Sequence, residues 1–209
     1  MSKSIKEVEL ISNNNPIVAT IFSPNEKPKF AFILSCPTGT KQTYYKKFAQ
    51  YLQSKGHLAI TYDYSGIGKS APKQIKGYQT SVTDWGKHDL TTIIDYVSTE
   101  FQYEKLIVMG LSIGGQIPGL SPSINKADAL VNVAAQSGYW RMWPIPIRFI
   151  LFFNWHVLQW IAKLIGFFPG KRLNMMENLP KDVAIEWGKW GLKKDYLFHF
   201  IPQADESFA

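Results

Sequence analysis

Recurrent short apolar runs, separated by helix-like stretches, constrain this chain most. Phe30 to Ser35 is a continuous apolar segment of strand length, the pattern of a strand buried on both faces of a sheet, and His57 to Tyr64 reads as another buried strand. Lys105 to Gly110 and Ala129 to Ala135 read as two further strands. A helix is expected from about Gln42, with Tyr45, Phe48 and Leu52 on one face and Gly56 as its stop. Ser81-Val82-Thr83-Asp84 resembles a capping box, and Leu90, Ile93, Ile94 and Val97 carry a helical face on to about Phe101. Strands alternating with helices imply an α/β fold with a mostly parallel sheet covered on both sides. Ile5 to Ile11 and Pro16 to Phe22 add an early pair, and the turn Ser12-Asn13-Asn14-Asn15 is too short for a crossover, so that pair is antiparallel.

Aromatic residues divide the chain of 209 residues unevenly. Six of the seven tryptophans, Trp140, Trp143, Trp155, Trp160, Trp187 and Trp190, follow residue 137. Strand signals stop after Tyr139, and the rest is helical, punctuated by Pro144, Pro146, Pro169, Gly170 and Pro180. We therefore expect residues 1–138 to form an α/β core and residues 139–209 a helical cap region. Within that cap, residues 145–168 are interrupted by Arg148, Asn154, His156, Gln159 and Lys163, too polar for a membrane span. Arg148, Gln159 and Lys163 share one stripe of a helical wheel with His156 beside it, and the remainder is apolar. Such a helix packs on the protein's own body or contacts a membrane surface.

The net charge of +7 is spread over both parts with no basic run, so nucleic acid is not an expected partner. The polar start of the chain and a lone cysteine, Cys36, point to a cytoplasmic protein without disulfides.

Gly110-Leu111-Ser112-Ile113-Gly114-Gly115 carries G-x-S-x-G directly after a strand. A serine on a tight strand-to-helix turn has its oxygen lifted clear of the sheet, and small residues two positions either side let strand and helix pass closely. Ser112 is thus the candidate nucleophile, Gly110 and Gly114 the elbow glycines, and the Ile113 N–H an oxyanion donor. The loop Pro37-Thr38-Gly39 ends the earlier strand, and the Thr38 N–H is the candidate second donor. Cys36 is a rival nucleophile without a matching histidine pattern and reads as core filler. Gly68-Lys69-Ser70 suggests phosphate binding, but Asp63 stands where that motif requires glycine and Pro72 follows too soon for a helix.

Ser112 in its elbow, Pro37-Thr38-Gly39 and Asp63-Tyr64-Ser65-Gly66-Ile67-Gly68-Lys69-Ser70, in this order, resemble the α/β-hydrolase superfamily, within it the serine aminopeptidase and monoacylglycerol lipase-like group. Gly166 to Arg172, Leu179-Pro180 and Glu186 to Trp190 resemble the cap of a little-characterised bacterial branch of predicted hydrolases. The resemblance implies an α/β-hydrolase fold and a serine hydrolase that cleaves an ester or amide with an apolar acyl group, needing no cofactor or metal. It also implies a Ser–Asp/Glu–His triad in that chain order.

Only His156 and His199 follow Ser112, the first within the amphipathic stretch and the second between two phenylalanines. Asp182, Asp195 and Asp205 lack the preceding strand that the resemblance implies for the acid, and His57 and His88 precede the serine and look structural. No triad acid or base is identified, and we expect a C-terminally incomplete hydrolase with the last strands missing. A non-catalytic binding protein on the same fold is the alternative. An exposed strand edge and poor solubility are expected with it.

Overall fold

The computed structural model describes residues 4–201 and residue 204. Its main sheet is built from β1 (Ser4–Ser12), β2 (Asn15–Ser23), β3 (Phe30–Ser35), β4 (Leu58–Tyr62), β5 (Lys105–Leu111) and β6 (Ala129–Val133). The strands lie in the order β1-β2-β4-β3-β5-β6. β1 with β2 and β2 with β4 are antiparallel, and the remaining pairs are parallel. Every residue of β4 is buried, as its reading as a buried strand predicts. The antiparallel pair turns through Asn13 and Asn14, both at positive φ, a conformation asparagine tolerates better than most residues.

Helices connect the parallel strands. A 3₁₀ turn (Gln42–Tyr45) leads into α1 (Lys46–Ser54), and Gly56 at φ +83° supplies the left-handed stop. Tyr45, Ala49, Leu52 and Gln53 face inward, whereas Phe48 sits at the solvent border stacked on Tyr51. The inward face is centred between Ala49 and Leu52, which leaves Phe48 about a quarter-turn off it. Gln53 is buried because its amide donates to the Ser4 and Ser23 carbonyls, both at 2.8 Å, tying helix to sheet.

The Ser81 capping box opens α2 (Val82–Asp84), which runs through a π-helical turn (Trp85–Leu90) into α3 (Thr91–Glu100). The π turn swings Asp89 inward. Its buried carboxylate accepts from Ser12 Oγ at 2.5 Å, Ser65 Oγ at 2.7 Å and the Ser65 N–H at 2.8 Å. Trp85 donates to the Ser65 carbonyl and stacks on Tyr64, ring centroids 4.6 Å apart.

α4 (Ile113–Gln116) follows β5 directly. After β6 the chain forms α5 (Ile147–Ile165), a two-residue antiparallel pair of β7 (Phe167–Phe168) and β8 (Leu179–Pro180), and α6 (Lys181–Gly191). That pair departs from the expectation that strands end at Tyr139. It forms because Gly166 at φ +91° ends α5 and turns the chain back, and two residues are too few to show a period.

Gln159 also departs from expectation, being buried rather than on a solvated stripe. α6 crosses α5 closely at Gly188 and Gly191, where a Cβ would strike Gln159 and Trp155. The Gln159 amide is satisfied there by the Trp155 carbonyl at 3.0 Å. β6 is one of the two edge strands among the described residues, β1 being the other, and Leu130, Val131 and Val133 on β6 are exposed.

Candidate active site

The carboxyl ends of the parallel strands gather four chain segments. Ser112 follows β5 directly with φ 55° and ψ −121°, a backbone conformation that costs an L-residue on the order of 1–3 kcal/mol. Hydrogen bonds and close contacts hold it there. Its N–H donates to the Val133 carbonyl at 3.0 Å, and its carbonyl accepts from the Gly115 N–H at 3.0 Å. A Cβ at Gly110 would overlap the backbone of Gly114 and Gly115, and one at Gly114 would lie 2.8 Å from the Ser35 carbonyl carbon and 2.9 Å from the Cys36 oxygen. Both glycines are therefore required by backbone-to-backbone approach, the reason anticipated from their spacing.

Register brings the second segment alongside. Ser35 lies opposite Gly110, so Cys36-Pro37-Thr38-Gly39 leaves β3 beside the elbow. Gly39 takes φ +63°, and Thr38 is buried, its Oγ1 without a hydrogen-bond partner among the described residues. Ile113 opens α4, and the first N–H groups of a helix have no intrahelical acceptor. Ser112, Ile113, Gly110 and Gly114 thus share one turn, and Thr38 sits on the adjoining loop.

Burial pushes the Cys36 thiol far up, with Asp63 adding to the effect, so this cysteine is held as the unreactive thiol.

The loop after β4 carries its own anion. The Asp63 carboxylate accepts from the Gln42 N–H at 2.7 Å, the Gln42 side chain at 3.1 Å and the Lys69 N–H at 2.9 Å. Burial pushes the Asp63 carboxyl up, and these bonds pull it back. Gly68 at φ +53° leaves room for that carboxylate, while the Lys69 ammonium pairs with Glu7. Gly-Lys-Ser is here an internal support, with the space a phosphate would need occupied by Asp63.

A fourth segment arrives from beyond α5, and local sequence patterns do not foretell it. Met176 packs on Gly39, where a Cβ would meet it at 2.8 Å, and the Glu177 N–H donates to the Gly39 carbonyl at 2.8 Å. Pro180 covers Gly66. Glu186 of α6 accepts from the Thr83 N–H at 3.0 Å and Thr83 Oγ1 at 2.5 Å, and burial pushes its carboxyl up. Trp187 donates to Tyr196 Oη, which donates to Gln116 of α4, both at 3.2 Å. Met176 and Trp187 also line an apolar cavity of about 240 Å³ with Trp155, Leu158 and Phe168.

Each histidine makes its described contacts with groups other than Ser112. His57 packs on Phe30 and Phe32 at the opposite ends of the strands, and His88 lies 3.7 Å from the Asp84 carboxylate. His156 meets Phe152 at 4.7 Å and His199 meets Phe200 at 4.9 Å, centroid to centroid. Among the described residues no group of three or more His, Cys, Asp or Glu side chains is placed to hold a metal ion. Asp205 lies outside the described residues.

Comparison with known proteins matches this arrangement to a large fold group. The chain is similar to the α/β hydrolase GrgF from Penicillium at 15% identity, covering 97% of this chain and 66% of that one, with a TM-score of 0.58. XC6422 from Xanthomonas campestris, described as an α/β serine hydrolase without lid, is 16% identical over 70% of this chain and 66% of its own, TM-score 0.54. A hydrolase from Agrobacterium vitis is 17% identical over 90% of this chain and 73% of its own, TM-score 0.59. The chain therefore spans just under two thirds of the Penicillium and Xanthomonas proteins. No curated protein matches it. The family model for serine aminopeptidase, S33, matches residues 26–184, most of the chain, including Ser112, the Thr38 loop and the Asp63 loop. On that match and this strand order, the chain belongs to the serine aminopeptidase S33 family and has the α/β-hydrolase fold.

Proposed function

We propose that this protein is a cytoplasmic serine hydrolase that cleaves an ester or amide carrying an apolar acyl group. The carrying observation is the Ser112 backbone, held at φ 55° and ψ −121° by two hydrogen bonds and two glycine contacts. Strain of that kind is retained where the surroundings over-determine it, and its use here is to aim Oγ away from the sheet.

In this reading Ser112 Oγ attacks the acyl carbonyl and a tetrahedral oxyanion forms. The N–H groups of Ile113 and Thr38 donate hydrogen bonds to it, a contribution of roughly 10²–10³-fold per donor. Collapse expels the alcohol or amine and leaves an acyl-serine, which water then hydrolyses. The cavity beside Met176 receives the acyl chain. A general base must take the serine proton and return it to the leaving group, and among the described residues the contacts of His88, His156 and His199 are to Asp84, Phe152 and Phe200, with no hydrogen bond to Ser112. Residues 139–209 act as the cap over residues 1–138.

The same placement of the histidines favours a second reading, a binding protein that retains the fold without turnover. Imidazole supplied in solution separates the two, since a soluble base restores part of the roughly 10²–10⁴-fold that a positioned base provides. We expect imidazole to accelerate hydrolysis of p-nitrophenyl butyrate by the protein and Ser112→Ala to abolish that gain. Equal imidazole-dependent rates in both would remove the hydrolase reading.

A further inference from the structure

α5 carries two apolar faces, and only one of them is used. Trp155, Leu158 and Ala162 pack inward. Ile150, Phe153, Val157, Trp160 and Leu164 follow one another at three- and four-residue steps on the opposite side, with Phe153 63%, Trp160 67% and Leu164 85% exposed. The helix has 19 residues and so runs about 28 Å. Among the described residues no helix is long and apolar enough to cross a membrane.

Charge along the chain on either side of this stripe is of one sign. From Ala129 to Met176 the sequence holds no Asp or Glu, while Arg141, Arg148, Lys163, Lys171 and Arg172 fall in it. The next acid, Glu177, is engaged by Lys171 at 2.8 Å and Lys41 at 3.6 Å. Lys163 lies in the last turn of α5, Arg172 is exposed on the turn that follows β7, and Arg141 stands 5.0 Å over the Trp140 ring. Lys163 and Arg172 have no carboxylate partner among the described residues.

We propose that the outer face of α5, with Lys163, Arg172 and Arg141 around it, seats this protein on an anionic lipid surface. An amphipathic helix of this kind lies in the interface plane, its Trp, Phe and Leu side chains entering the headgroup–acyl boundary and its cations facing the phosphates. Each basic residue near such a surface strengthens binding roughly fivefold at low salt. The seating would bring apolar substrates to the cavity that α5 lines, but it rests on surface chemistry alone and does not depend on Ser112 being reactive.

Vesicle flotation of the full chain tests it, because self-associated protein sinks while bound protein rises. We expect flotation with vesicles of about three parts phosphatidylcholine to one of phosphatidylserine, falling as salt rises, and little with phosphatidylcholine alone. Phe153→Ser, Trp160→Ser and Leu164→Ser together should lower the partition by roughly tenfold or more, and Lys163→Gln with Arg172→Gln by roughly the same. Ser112→Ala should float like the unaltered protein. Equal flotation of the unaltered protein and the triple variant would overturn the proposal, as would equal flotation on neutral and anionic vesicles. A dimer that the triple variant disperses, without any flotation, would assign the face to a second copy of this chain and overturn it too.

Discussion

Gly114→Ala puts one methyl group where strand, elbow and oxyanion loop meet. Its Cβ would stand 2.8 Å from the Ser35 carbonyl carbon and 2.9 Å from the Cys36 oxygen, with the Ser35 oxygen nearer still. Ordinary contact requires about 3.4 Å or more, so α4 and the Cys36–Gly39 loop must part by roughly 0.5–1 Å. Such overpacking costs about 1–3 kcal/mol, offset by up to about 1 kcal/mol because alanine favours helix over glycine. The net loss of about 1–2 kcal/mol lowers Tm by about 2–8 °C in a chain of this size. The separation also moves the Ile113 and Thr38 N–H groups relative to Ser112, and a misplacement near 1 Å costs up to roughly 10²-fold in rate.

Gly77→Ala is the matched control. Gly77 takes φ +84° with nothing within 4 Å of a Cβ, so alanine there strains the backbone by about 1–2 kcal/mol without touching the site. Thermal melts followed by tryptophan fluorescence at high dilution, with imidazole-assisted ester hydrolysis alongside, read both effects. Both variants should melt earlier, and only Gly114→Ala should lose hydrolysis by roughly tenfold or more. A Gly114→Ala protein with unchanged hydrolysis, or a Gly77→Ala protein with equal loss, would refute the close-approach reasoning.

Three other outcomes follow from the same geometry. Burial pushes the Asp89 carboxyl from 3.8 up to about 6, so its folded form holds the proton more tightly than the unfolded chain does. Its contribution is complete below pH 3.8 and is lost as pH rises through about 6, a fall of about 3 kcal/mol at most, and Asp89→Asn should flatten that slope in urea titrations between those pH values. Tyr196→Phe removes the hydroxyl between Trp187 and Gln116 and should lower stability by about 1–2 kcal/mol, where an unchanged melt would deny that the bridge holds α6 to α4. Val131→Lys on exposed β6 should raise the soluble yield, since a charge there blunts an open strand edge, and an unchanged yield would place the self-association elsewhere.

Patterns confined to a few residues were legible in the sequence. The buried runs of β3 and β4, the Ser81 capping box and the glycines around Ser112 act over short range, and the structure places them as their spacing implies. Features set by distant partners were not. Phe48 shares a helical period with Tyr45 and Leu52, yet the sheet selects the phase centred on Ala49. Gln159 reads as a surface residue until α6 crosses α5 at Gly188. The docking of Met176 and Glu177 on Gly39 joins residues far apart in the chain and has no local signature. Around Ser112, the turn and the adjoining loop could be read from spacing, whereas the covering segment required the fold.

Reaction with a fluorophosphonate probe tests the central claim most directly, because it needs a nucleophilic oxygen and a place for the charge on phosphorus-bound oxygen, with no substrate recognition. Intact-mass and peptide mapping should find one adduct, on Ser112, formed faster in imidazole and absent in Ser112→Ala. An unlabelled protein, or an adduct that persists in Ser112→Ala, would contradict the assignment of Ser112 as the nucleophile.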